Sequence, residues 1–149
     1  MKPVDPGTPA SPPWLTPLDH TADAGFALTA PDLPQLFERA ARGMFSLICD
    51  FSAVRLTRET TIEVEADDVP ALLVRWLSEL NFRHVTEHIL YGTFVITELS
   101  ESRLRAQVGG EPIDPARHTV YTEIKAVTFH GLEVAKDAAG WRAQVIFDL

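Results

Sequence analysis

The stretch Thr60-Thr61-Ile62-Glu63-Val64-Glu65-Ala66-Asp67-Asp68-Val69-Pro70-Ala71-Leu72-Leu73-Val74-Arg75-Trp76-Leu77-Ser78-Glu79-Leu80 changes its hydrophobic period midway. Up to Ala66 apolar and polar residues alternate, as in a half-exposed strand whose successive side chains point to opposite faces. From there Val69, Leu72, Leu73, Trp76, Leu77 and Leu80 recur at helical spacing. Asp68 stands where an N-cap is needed, and Pro70 falls in the first turn, where a missing N–H costs nothing. The stretch therefore reads as a strand followed at once by a helix with one apolar face.

The same pair occurs earlier in the chain. Phe26-Ala27-Leu28-Thr29 is a short strand, and Asp32 with Gln35 three residues on has the capping-box pattern. Leu33, Leu36, Phe37, Ala40, Met44, Leu47 and Ile48 form a buried helical stripe that Asp50 closes. Downstream, Thr93 to Leu99, Arg103 to Val108, Val120 to Phe129, Leu132 to Ala135 and Trp141 to Phe147 are strand-like, with Gly131 and Gly140 at turns. Two helices so placed cannot cover both faces of a parallel sheet, so the spacing predicts an α+β fold with two helices on a mostly antiparallel sheet. The order strand–helix–strand–strand fits twice, one unit nested in the other.

Composition limits the function. With 149 residues, 46% hydrophobic and 23% charged, the chain fits one soluble domain with a real core. A formal charge of −8 opposes direct binding to phosphate backbones and suits a cation or a protein partner. The single Cys49 has no partner for an intramolecular disulfide and sits among apolar helix positions, as a small core residue does. No signal peptide is evident, and no apolar run approaches the roughly 18 residues of a membrane span, so a cytoplasmic, monomeric protein is expected. Residues 1–17, with Pro3, Pro6, Pro9, Pro12, Pro13 and Pro17, read as a loose polyproline-like tail ahead of one domain at 18–149.

Two places concentrate acidic groups. The last strand runs into Asp148 and Leu149, whose side-chain and terminal carboxylates sit one residue apart. The turn His20-Thr21-Ala22-Asp23-Ala24-Gly25 precedes the first strand. If the fold brings Asp23 beside Asp148, three carboxylates converge, and such a cluster repels itself unless protonated or holding a hard cation. On spacing alone, a merely solvated Asp148 is the favoured reading. Glu123 and Lys125 share one face of a strand, with Ile124, Ala126, Thr128 and His130 on the other. On spacing alone, a surface ion pair worth under about 1 kcal/mol is the favoured reading of that pair.

Gly110-Glu111-Pro112-Ile113-Asp114-Pro115-Ala116-Arg117-His118 reads as a loop rich in turn formers. His20, His118 and His130 with Asp23 lack any zinc-site spacing, and His84 and His88 look solvent-facing at a helix end. There is no nucleophile elbow, phosphate loop or dinucleotide fingerprint.

From Leu18 to Leu149 the chain resembles the archease family. The resemblance is carried by Leu18-Asp19-His20-Thr21-Ala22-Asp23, by Gly110-Glu111-Pro112 with Asp114 and His118, by Glu123-x-Lys125-Ala126-Val127-Thr128-x-His130-Gly131-Leu132, and by Val145-Ile146-Phe147-Asp148-Leu149. It implies two nested strand–helix–strand–strand units. It also implies an activator of RtcB-type RNA ligases, promoting guanylylation and repeated turnover in tRNA splicing or RNA repair, and no enzyme in its own right. The implied metal ligands are Asp23, Asp148 and Leu149, for calcium or else Mg²⁺ or Mn²⁺, and the candidates for contact with the ligase are His20, Glu123, Lys125 and His130. Leu149 replaces the commoner terminal Ile, Phe129 stands where Tyr is frequent, and the Pro-rich extension is unusual. A small metal-dependent hydrolase using Asp23, Asp148 and His20, or a general chaperone, are the alternatives.

Overall fold

The computed structural model describes residues 12–19 and 23–149, with Asp19 and Asp23 described by their backbone alone. In chain order the elements are β1 (Leu15–Asp19), β2 (Asp23–Ala30), α1 (Leu33–Ile48), a 3₁₀ turn (Phe51–Ala53), β3 (Arg58–Glu65), α2 (Val69–Glu87), β4 (Ile89–Leu99), β5 (Arg103–Pro112), β6 (Ala126–Asp137) and β7 (Gly140–Asp148). Among these residues the strands form two antiparallel sheets, ordered β1-β2-β7-β6 and β3-β5-β4.

The nesting is visible in that order. β3, α2, β4 and β5 make one strand–helix–strand–strand unit whose first strand pairs with its last. It is inserted between α1 and β6 of an outer unit made of β2, α1, β6 and β7, which repeats the pairing of first strand with last.

Local chemistry sets each start. Asp32 caps α1 by accepting from the Gln35 N–H at 2.9 Å, and the Gln35 amide returns a bond to the same carboxylate at 2.9 Å. Asp68 caps α2 by accepting from the Ala71 N–H at 2.8 Å. Ile62 and Val64 of β3 are buried while Glu63 and Glu65 are exposed, so the alternation read in the sequence is real. Burying the apolar faces of both helices supplies the main driving force.

The two units share one core. Phe45 of α1 stands edge-on to Tyr91 of β4 at 5.7 Å and lies 5.7 Å from Phe94, while Trp76 of α2 donates to the Phe37 carbonyl at 2.9 Å. Neither unit could be removed without exposing the other. Gly43 lies inside α1 because a Cβ there would stand 2.8 Å from Leu15 and 2.9 Å from Phe26, so its absence lets the outer sheet close on the helix.

Several boundaries differ from the sequence reading. β2 extends Phe26–Thr29 in both directions, and Cys49 ends α1 while Asp50 caps the 3₁₀ turn by accepting from the Ser52 N–H. The strand expected from Val120 starts only at Ala126, and the separate strand from Leu132 belongs to the same β6, joined through a bulge with Gly131 at φ +67°. The domain also begins before Leu18, since Leu15 to Pro17 pair with β2, Pro17 standing on an edge strand where a missing donor is tolerated. The rest of the expected tail, residues 1–11, lies outside the described residues. No helix among the described residues is long and apolar enough to cross a membrane.

Cys49 is buried, and its thiol is pushed up to about 12, chiefly by burial and next by the neighbouring Asp50. A thiol reagent at pH 8 should therefore label the folded protein hardly at all and the urea-unfolded chain fully. Rapid labelling of the native state would contradict the packing.

Candidate functional site

At one end of the outer sheet three neighbouring strands come into register. Ala126 of β6 pairs with Asp148 of β7, and Asp148 pairs with Asp23 of β2. Directly opposed residues of an antiparallel pair lie about 4.5–5.5 Å apart at Cα. The backbones of the two aspartates read as far apart in sequence are thus neighbours. Asp148 is exposed, while Leu149 is half-buried and packs against the core. His20, and the side chain of Asp23, lie outside the described residues.

The segment before β6 closes on this end. The Lys125 N–H donates to the Asp148 carbonyl at 2.8 Å, and the Asn81 amide of α2 donates to the Ile124 carbonyl at 2.8 Å. Ile124 is buried, which turns Glu123 and Lys125 outward on either side of it. They are held in an irregular segment next to β6 and not on a strand. None of the ion pairs among the described residues joins them, so neither side chain is spent on the other. His130 is exposed in the bulge of β6, beyond the Thr128–Ile146 pair. Among the described residues no three His, Cys, Asp or Glu side chains converge into a metal site. The donors at the aligned strand ends are all oxygens, a set that fits a hard cation.

A second cluster lies at the other end of the segment between β5 and β6. The carboxylate of Glu111 is buried at 4% exposure, pairs with Arg117, and accepts from the Arg55 N–H. Arg117 also donates to the Ala53 carbonyl at 3.0 Å. His118 is buried as well, its Nδ1 accepting from the Asp114 N–H at 2.8 Å, which leaves the proton on Nε2, 3.2 Å from the Glu111 carboxylate. Gly110 to Pro112 end β5, the turn-rich loop expected follows from Ile113, and Glu111 and His118 close its two ends as a buried clasp. Gly110 is required beside it, because a Cβ there would run into the Leu90 carbonyl.

The archease protein family matches residues 16–149. A protein archease of Methanopyrus kandleri is 39% identical over 140 residues, covering 92% of this chain and 99% of its own. One from Methanosarcina mazei is 37% identical over 136 residues, 89% of this chain and 93% of its own. Among solved structures, a Methanobacterium thermoautotrophicum protein in solution superposes with a TM-score of 0.77 at 38% identity, covering 91% of this chain and 99% of that one. A Thermotoga maritima archease, described as a possible chaperone, shares the fold with a TM-score of 0.61 at 18% identity, covering 90% and 96%.

This chain belongs to the archease family.

Within this archease, two buried groups escaped the sequence reading. His84 is not solvent-facing: it is 5% exposed, edge-on to Phe45, and its Nδ1 bonds the Ile89 carbonyl at 2.8 Å across the left-handed turn at His88. Glu111 gave no warning by composition, since a glutamate between Gly110 and Pro112 looks like a turn residue. The available signal was the i,i+4 spacing of Asp114 and His118 beside it.

Both buried histidines titrate below the ordinary value of 6.5. Burial is the main cause in each, helped by His88 near His84 and by Arg117 and Arg55 near His118. Below about pH 6.5 the unfolded chain takes up protons that the folded one resists, so the archease loses stability as pH falls through and below that value. Melting temperatures at pH 7.5 and 5.5 check this, and His118→Asn should flatten the slope. An unchanged slope in that variant would remove His118 from the account.

Proposed function

We propose that this archease is a metal-binding accessory protein that activates an RtcB-type RNA ligase in the cytoplasm, during tRNA splicing or RNA repair. The supporting observation is the register that opposes Asp23 and Asp148 at an exposed strand end. A divalent cation, calcium or else Mg²⁺ or Mn²⁺, would be held by Asp23, Asp148 and Leu149, with water or the partner completing a shell of about six to eight oxygens. The metal-bearing acidic end would then meet the basic mouth of a nucleotide site, where charge complementarity sets orientation and on-rate. Glu123 and Lys125, unpaired with one another and held beside Asp148, suit contact with that partner, as do His20 and His130.

The test is guanylylation of the purified ligase, followed over several turnovers with and without this protein. Stimulation of ligation beyond one turnover is expected, with no ligation, phosphoester hydrolysis or peptide hydrolysis by this protein alone. Turnover without a ligase, lost in Asp148→Asn, would instead favour a hydrolase. Absence of any stimulation would end the activator reading.

A further inference from the structure

Phe82 at 61%, Val85 at 38% and Tyr121 at 52% are large apolar side chains left exposed on α2 and on the segment before β6. Their placement follows from the flanks of α2. Leu73, Trp76, Leu77 and Leu80 of α2 are buried, and the Glu79–Arg83 ion pair runs along one flank of that buried face. On the other flank Asn81 holds the Ile124 carbonyl, and His84 is influenced by Glu123. At about 100° per residue, Val85 lies next to Asn81 around the helix and Phe82 one step further out. Tyr121 is tied to this corner through its N–H, which donates to the Ile48 carbonyl at 2.7 Å, one turn from the Phe45 ring that meets His84. From Tyr121 the chain runs through Glu123 to Lys125 and Asp148.

We propose that Phe82, Val85 and Tyr121 form the apolar part of a docking face continuous with the Asp148 end. Its occupant is the ligase partner, bound through an apolar recess rimmed by Lys and Arg. The inference rests on the activator reading and adds where the partner grips. Leu56, Val120 and Phe129 are exposed as well, Val120 next to Tyr121 in the chain and Phe129 on β6 beside His130. Val95 stands on a β4 edge beside β5, where Glu63–Arg105 and Glu65–Arg103 pairs already neutralise the sheet face. The corner on α2 instead adjoins Glu123, Lys125 and Asp148, two carboxylates against one ammonium, none of them in an ion pair among the described residues. A basic-rimmed partner complements that arrangement. A second copy does not, since a two-fold interface would set the same carboxylates against each other in a chain of net charge −8.

The experiment measures ligase affinity for the wild type and for the double variant Phe82→Ser with Val85→Ser, alongside calcium titration and melting. Both positions are exposed, so folding and calcium binding should be unchanged while ligase affinity falls about tenfold or more, the loss typical of truncating a central aromatic anchor. Equal affinity in wild type and variant would overturn the docking face and leave the activator reading intact. A wild type that neither binds nor stimulates the ligase would overturn both. A wild type that sediments as a dimer, with a monomeric variant of undiminished ligase affinity, would assign the face to a second copy and overturn the proposal.

Discussion

Glu111→Ala is expected to lower the unfolding free energy by about 3 kcal/mol. The wild-type carboxylate is buried and accepts from Arg117 and from the Arg55 N–H, with the His118 Nε2 3.2 Å away and not hydrogen-bonded to it. Its removal leaves a cation and a backbone donor without their acceptor. Breaking a buried pair from one side costs roughly 3–5 kcal/mol, and an orphaned donor about 1–3. The lower figure is chosen because the Arg117 side chain is 29% exposed and can turn partly to water. A domain of this size has about 5–15 kcal/mol to lose, so the variant should melt roughly 6–12 °C lower. Glu111→Gln keeps the shape and an acceptor for Arg55, and should lose less. Urea unfolding of both variants decides it, and a loss below about 1 kcal/mol for the alanine would show that the clasp is ornamental to folding.

That clasp explains what could and could not be read beforehand. The helices were legible because caps and apolar stripes are local: Asp32, Asp68 and their stripes needed no knowledge of the rest of the chain. The nested topology was legible as an order of elements, but the division into two sheets was not, because it depends on which strand closes on which. The segment 121–125 looked like a strand by its alternation, and Ile124 is indeed buried between exposed Glu123 and Lys125. It lacks a ladder because its polar backbone groups are taken by Asn81, Ile48 and Asp148, partners far away in sequence. His84 was misplaced for a similar reason, its hydrogen-bond partner arising only when the chain turns back at His88. The proximity of Asp23 and Asp148 was a condition in the sequence and is a backbone register in the fold.

Asp148→Asn is expected to abolish ligase activation and to reduce calcium affinity on the order of a hundredfold, because charge count among the oxygen ligands sets the affinity of calcium sites. Its effect on folding should be small, since Asp148 is exposed. Asp23→Ala should behave alike, and the two variants have a signature that simple damage lacks. Without metal, the carboxylates that the proposed site would bring together repel one another, so removing either charge should leave stability equal to wild type or slightly higher. With calcium at about a hundred times its dissociation constant the wild type gains about 2.7 kcal/mol by mass action, which a variant of much weaker affinity gains only in small part. The order of melting temperatures should therefore reverse when calcium is added. A variant that melts below wild type in chelator would point to a structural role for the aspartate. Equal calcium-induced shifts in wild type and Asp148→Asn would place the cation elsewhere, and the activator reading would lose its metal site.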